Sequence, residues 1–192
     1  MKKLALMVLL VLDMVVCGCG NPTPSTTTNT EASGNWEAQL TGGSDQTALM
    51  NFVTTFSVTN SGPLDITGFA FFNSGACFTT GANAETFTGN ASFTTSSTNT
   101  VNGTLNLTIT SSTTGSVLTL NPGTLTGTSN GTTTTTGTLS NGVVVGTWSL
   151  SPGNSSTCTG SIQGSYILCQ ALATCTPAAS AAAEASPKKP KS

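Results

Sequence analysis

The chain has no histidine and no arginine, and its five lysines lie at its two ends. Between Leu4 and Pro187 there is no cationic side chain at all. A nucleic-acid partner needs a basic patch to neutralise phosphates, so the body of this chain excludes one. Ion pairs within the body are excluded too. General acid–base catalysis loses imidazole, and the abundant serine and threonine hydroxyls have no base to activate them. Acids are also sparse. After residue 18 they are Glu31, Glu37, Asp45, Asp65, Glu85 and Glu184, against Lys188, Lys189 and Lys191, a side-chain net of −3. No motif sets two carboxylates together for glycoside chemistry, and none clusters enough oxygens for calcium. The chain reads as non-enzymatic, with no metal and no other cofactor.

What remains is an uncharged, threonine-rich polymer. Threonine occurs 39 times in 192 residues. Its β-branch favours strands and its hydroxyl suits a wetted face, so the bias points to an all-β domain. Five Asn-x-Ser/Thr matches, at Asn90, Asn102, Asn106, Asn130 and Asn154, follow from this abundance and are not read as glycans.

The N-terminus has its own logic. Lys2 and Lys3 precede a nine-residue apolar run, Leu4–Leu12, which suits a signal segment and is too short to span a bilayer. Val16-Cys17-Gly18-Cys19 follows. This stretch resembles the lipobox of bacterial lipoproteins, in which an apolar residue and small residues precede a cysteine. Asp13 departs from the pattern; a carboxylate at mid-membrane costs about 2.5–3.5 kcal/mol, less near the end of the segment. The resemblance implies cleavage between Gly18 and Cys19 by a peptidase of the signal peptidase II type. It implies thioether diacylglycerol on Cys19, with a further acyl chain such as palmitate, so membrane lipid is the expected partner. Two or three chains anchor stably where one does not. Gly20-Asn21 follows the cysteine where an aspartate would signal inner-membrane retention, so the resemblance favours the outer membrane in a cell that has one.

Residues 1–18 are thus an expected signal peptide, and 19–33 a lipidated cysteine with a Thr/Pro/Ser-rich tether. Residues 34–176 form the expected β-domain, and 177–192 a disordered Ala/Pro/Lys tail. Within the domain and its margin, Cys77, Cys158, Cys169 and Cys175 form an even set in an exported chain. Two disulfides are expected, in one of three connectivities. Cys77–Cys158 and Cys169–Cys175 are favoured, the first joining distant strands and the second closing a short loop. Zinc is the competing use, but there is no C-x-x-C pair and no histidine.

From Trp36 the pattern alternates. Trp36, Ala38 and Leu40 share a face until Gly42-Gly43. Phe52, Thr54, Phe56 and Val58 alternate again, and Ser61-Gly62-Pro63 predicts a turn. Ile66–Phe72 is a strand with aromatics on both parities. Gly89-Asn90, between Phe87 and Phe93, predicts a hairpin tip. Leu105, Leu107 and Ile109 alternate with threonine and asparagine, and Leu118 and Leu120 lead to a turn at Asn121-Pro122-Gly123. Asn130-Gly131 and Asn141-Gly142 predict two-residue hairpins bracketing a strand, Thr132–Ser140. Val144, Trp148 and Leu150 share one face, as do Ile162, Tyr166 and Leu168.

Turn signals about every ten residues describe an antiparallel up-and-down meander. It must bury one face, by closing into a barrel or by packing as a sandwich. Exposed edges are usually guarded by charge, above all lysine. This body has none, so closure into a small barrel of about eight to ten strands is expected, with a β-sandwich as the alternative. The interior should hold Trp36, Phe52, Phe56, Leu105, Leu107, Ile109, Leu118, Leu120, Trp148, Leu150 and Tyr166. Gly34-Asn35-Trp36 resembles the G-x-W opening of lipocalin-like and avidin-like barrels, and Gly146-Thr147-Trp148 repeats it. That resemblance implies a cavity for a small apolar ligand, with Trp36, Trp148 and Tyr166 as contacts. Two functional readings follow. One is a lipid-anchored envelope protein with a structural or surface-interaction role. The other is a small-ligand binder.

Overall fold

Alternation of hydroxyl and large apolar side chains is the pattern that pairs into sheet when one face must be buried. The computed structural model describes residues 28–42, 48–74, 77–78, 85–132, 134–153 and 163–170. They form nine strands. These are β1 (Thr30–Gly42), β2 (Ala48–Thr59), β3 (Ser61–Pro63), β4 (Asp65–Asn73), β5 (Glu85–Thr95), β6 (Thr100–Ser111), β7 (Val117–Ser129), β8 (Gly137–Ser151) and β9 (Gln163–Gln170). All nine belong to one antiparallel sheet that curls into a half-barrel, in the order β3-β5-β6-β7-β8-β9-β1-β2-β4. The expected all-β meander is therefore present as one curled sheet, and the two-sheet sandwich is not.

The two ends of this sheet are one stretch of chain. Only Leu64 separates β3 from β4, yet β3 pairs with β5 and β4 with β2. Leu64 N and Phe93 N add bonds to Gly89 O and Asn60 O, at 2.9 and 2.7 Å. So the sheet's ends meet along Asn60–Leu64. Beyond Leu64, β4 and β5 share no ladder.

All eleven interior residues expected from alternation are buried. Burial of a large apolar side chain contributes about 1.5–3 kcal/mol, so this shared interior is the main stabilising element. One end of the interior is polar. Thr30 Oγ1 lies 2.7 Å from Thr95 Oγ1 and 2.8 Å from Ser129 Oγ, all buried. At the other end Phe78 packs on Phe71, with ring centroids 4.9 Å apart. There Thr114 Oγ1 donates to Cys77 O at 3.2 Å, and Ser116 Oγ to Pro152 O at 2.9 Å.

Several local expectations are corrected. The tether was expected to reach Ser33, but β1 begins at Thr30. Past the last residue of β9, Thr30 and Glu31 pair in parallel with Gly137 and Thr138, and the Thr30 hydroxyl joins the buried cluster. Ser61-Gly62-Pro63 is a short strand, and the chain turns just before it, at Asn60 with φ 55°. Gly89-Asn90 lies inside β5. Asn121-Pro122-Gly123 is a bulge inside β7, where Leu105 faces Gly123 and Leu107 faces Leu120. A bulge tolerates a proline that a regular ladder would not. Thr132–Ser140 is not a strand between two hairpins. Asn130 opens a single loop to β8, and Asn141-Gly142 is a bulge within β8, with Asn141 at φ 53°. The aromatics of mixed parity in β4 have the same cause, since a bulge inserts Phe72 between Phe71 and Asn73.

Candidate functional site

The three aromatics expected to contact a ligand, Trp36, Trp148 and Tyr166, come from three adjacent strands, β1, β8 and β9. Their exposures are 1, 1 and 2%. Each lies against a glycine of a neighbouring strand. A Cβ at Gly142 would stand 2.5 Å from Trp36 Cη2, one at Gly146 2.7 Å from Tyr166 Cε1, and one at Gly164 2.7 Å from Trp148 Nε1. A strand glycine marks such a close approach. Their polar atoms turn to backbone. Trp148 Nε1 donates to Thr41 O at 2.9 Å, and Tyr166 Oη donates to Asn121 O at 3.0 Å, a carbonyl at the β7 bulge. Burial raises the Tyr166 pKa to about 12. Trp36 stacks on Phe56 at 5.0 Å and 16°, and its Nε1 is buried with no hydrogen-bond partner. Gly34, two residues before it, takes φ 99°. These side chains fill the interior they were expected to line.

The core opens somewhere else. Five large apolar residues among those described pack on the core while only partly buried. Leu49 lies at the start of β2; the other four are Leu64 at the junction, Ile66 and Phe69 on β4, and Phe87 on β5. These four flank the seam where the β4–β5 ladder is missing. Phe69 and Phe87 meet across it with ring centroids 4.7 Å apart. Phe69 also touches Phe52 and Phe71, at 5.0 and 4.9 Å. Phe72, on the same strand, is 65% exposed. A groove of about 270 Å³ runs across β1, β2 and β4 beside the seam, and its lining includes Trp36 and Phe69 together with Asn35, Glu37, Thr55 and Ala70. The Thr55 hydroxyl donates to Asn35 Oδ1 at 2.7 Å, which ties up the polar side of this groove.

The described acids are dispersed over three strands: Glu31 and Glu37 on β1, Asp65 on β4 and Glu85 on β5. Among the described residues no group of three or more metal-capable side chains occurs. Cys77 and Cys169 are each disulfide-bonded. Cys158 and Cys175 lie outside the described residues, as do Gly18, Cys19, Asp45, Glu184, the signal segment and the tail, so the expected pairings involve undescribed cysteines.

The chain matches no protein-family model, no curated protein and no solved structure.

The sequence carries no signal for the seam: the mixed parity of Phe69, Phe71 and Phe72 reflects the bulge against β2.

Proposed function

We propose that this chain is an exported lipoprotein, held to membrane lipid through Cys19. Its uncharged β-domain then serves a structural or surface-interaction role in the cell envelope, at the outer membrane where one exists, without catalysis. Lysines 2 and 3, the apolar run and Val16–Cys19 support the anchor. For the domain, the observation that carries the reading is the filled interior, in which Trp36, Trp148 and Tyr166 pack against strand glycines. A carrier of the lipocalin kind would hold those positions open. Within this reading Cys77 pairs with Cys158 and Cys169 with Cys175.

Membrane fractionation with mass spectrometry of the N-terminal peptide tests the anchor. The native chain should begin at a lipidated Cys19 and stay with the membrane. Cys19→Ser should release a folded domain. A Cys19→Ser chain that is cleaved and still membrane-bound would defeat the proposal.

A second reading, binding of a small apolar ligand, draws on the opening of the core at Ile66, Phe69 and Phe87. A native mass spectrum of the purified chain separates the two, since only a carrier retains a stoichiometric small molecule.

A further inference from the structure

The β4–β5 seam combines three features that appear together nowhere else among the described residues. The first is unpaired strand backbone on both sides. Among the described residues β4 pairs only with β2, and no partner strand lies on its other edge between Thr67 and Phe72. The backbone of Thr86–Thr88 on β5 likewise faces the seam without a ladder. Strand edges present rows of N–H and C=O groups that bind another extended chain unless guarded. The second is apolar floor, because Ile66, Phe69 and Phe87 pack against the core while only partly buried. The third is charge. Asp65 stands exposed where the seam begins, and the described residues contain no cation to answer it.

We propose that the seam is a strand-acceptor site. It takes an extended peptide segment of a partner protein, uncharged along most of its length, with apolar side chains at alternate positions and a lysine or arginine at the end beside Asp65. Such a segment adds a strand against β4 by main-chain hydrogen bonds, while alternate side chains enter the sheet's interior side, as in β-augmentation generally. Its apolar residues cover Phe69 and Phe87, and its cation pairs with Asp65. The open edge from Thr67 to Phe72 sets the segment at about six residues, one side chain in two facing inward. A lipid acyl chain would cover the phenylalanines equally well. It would bury the strand edges' N–H and C=O groups without hydrogen-bond partners, and this favours peptide. Phe72, exposed on the same strand, lies at the rim of the site.

The inference rests on the seam and not on the Cys19 anchor. Fractionation of Cys19→Ser tests the anchor, and peptide binding tests the seam, so either can fail without the other.

The test uses the full chain and a synthetic peptide of two lysines followed by three valine–threonine repeats. Calorimetry should show saturable binding, and hydrogen exchange should show new protection of alternate amides between Thr67 and Phe72. The same peptide N-methylated at alternate residues loses those donors and should bind at least about tenfold more weakly. Phe72→Lys places a guarding charge on an exposed position and should weaken binding by a similar factor. Asp65→Asn should reduce the salt dependence while retaining the protection pattern. Equal binding of the N-methylated peptide would overturn the proposal. So would Thr67–Phe72 amides that already exchange in the free chain as slowly as those of Leu105–Ile109. Uptake of palmitate at the seam, without peptide binding, would overturn it in favour of a lipid slot.

Discussion

Tyr166 of β9 packs against Gly146 of β8, so close that a Cβ on the glycine would stand 2.7 Å from its ring. The ring reaches across to Gly123 of β7, where an added Cβ would meet the hydroxyl, and that hydroxyl donates to Asn121 O at 3.0 Å. One side chain thus spans three strands and satisfies a carbonyl at a bulge. Gly146→Ala should lower stability by about 1–3 kcal/mol through overpacking. Tyr166→Phe should cost about 1–3 kcal/mol by leaving that carbonyl unpaired. Gly146→Ala combined with Tyr166→Leu should lose less than Gly146→Ala and Tyr166→Leu as singles added, because the residues touch. Urea denaturation of the four proteins measures the coupling, and strict additivity would refute the contact.

Tyr166 also sets a pH dependence. It is the chain's one tyrosine, and burial raises its pKa from about 10 to about 12. Above pH 10 the unfolded chain releases this proton while the folded chain keeps it. The unfolded state then binds fewer protons, so stability falls with rising pH. The loss begins near pH 10 and is complete near pH 12, amounting to about 2–3 kcal/mol at 1.36 kcal/mol per pKa unit. Tyr166→Phe should remove this dependence. Tyrosinate absorbance titrated in native buffer should have its midpoint well above that of the denatured chain.

The hydroxyl cluster at the end of the interior makes a separate demand. Thr30 Oγ1 contacts Thr95 Oγ1 and Ser129 Oγ, which also accepts from Gly131 N at 3.1 Å. Thr30→Val keeps the shape and removes the shared partner. The expected loss is about 1–3 kcal/mol. Thr126→Val, at an exposed site on β7, is the control and should change stability by less than about 0.5 kcal/mol.

Asn141 adopts φ 53° at the β8 bulge, a conformation that ordinary L-residues reach at a cost. Asn141→Val should destabilise by about 1–2 kcal/mol, whereas Asn141→Gly should stay within about 0.5 kcal/mol of the native chain. Thermal melts resolve the ordering. A valine variant as stable as the glycine variant would argue against the bulge.

Much of the fold was legible because strand period and burial share one signal. Leu105, Leu107 and Ile109 alternate with polar residues, and all three are buried. The glycine and asparagine pairs were the least legible. Asn-Gly permits positive φ, and a hairpin turn and a bulge use that permission equally. At Asn141-Gly142 the deciding fact is Trp36, more than a hundred residues earlier, whose ring needs the space above Gly142. Gly146 likewise looked like part of a repeated G-x-W signature, and its role is to admit Tyr166.

The residues themselves determined an all-β chain with an uncharged, hydroxyl-rich exterior and an aromatic interior. Alternation leaves no other way to bury the large side chains, and with no cations in the body hydroxyls and amides must provide most of the solvation. Tertiary structure decided where regularity ends. Strands that pair with distant partners bulge to fit aromatics across glycines, and the run from Ser61 to Asn73 is shared between β5 and β2. That sharing leaves the seam between β4 and β5. No local pattern specifies it, because it depends on which two strands the curled sheet brings side by side.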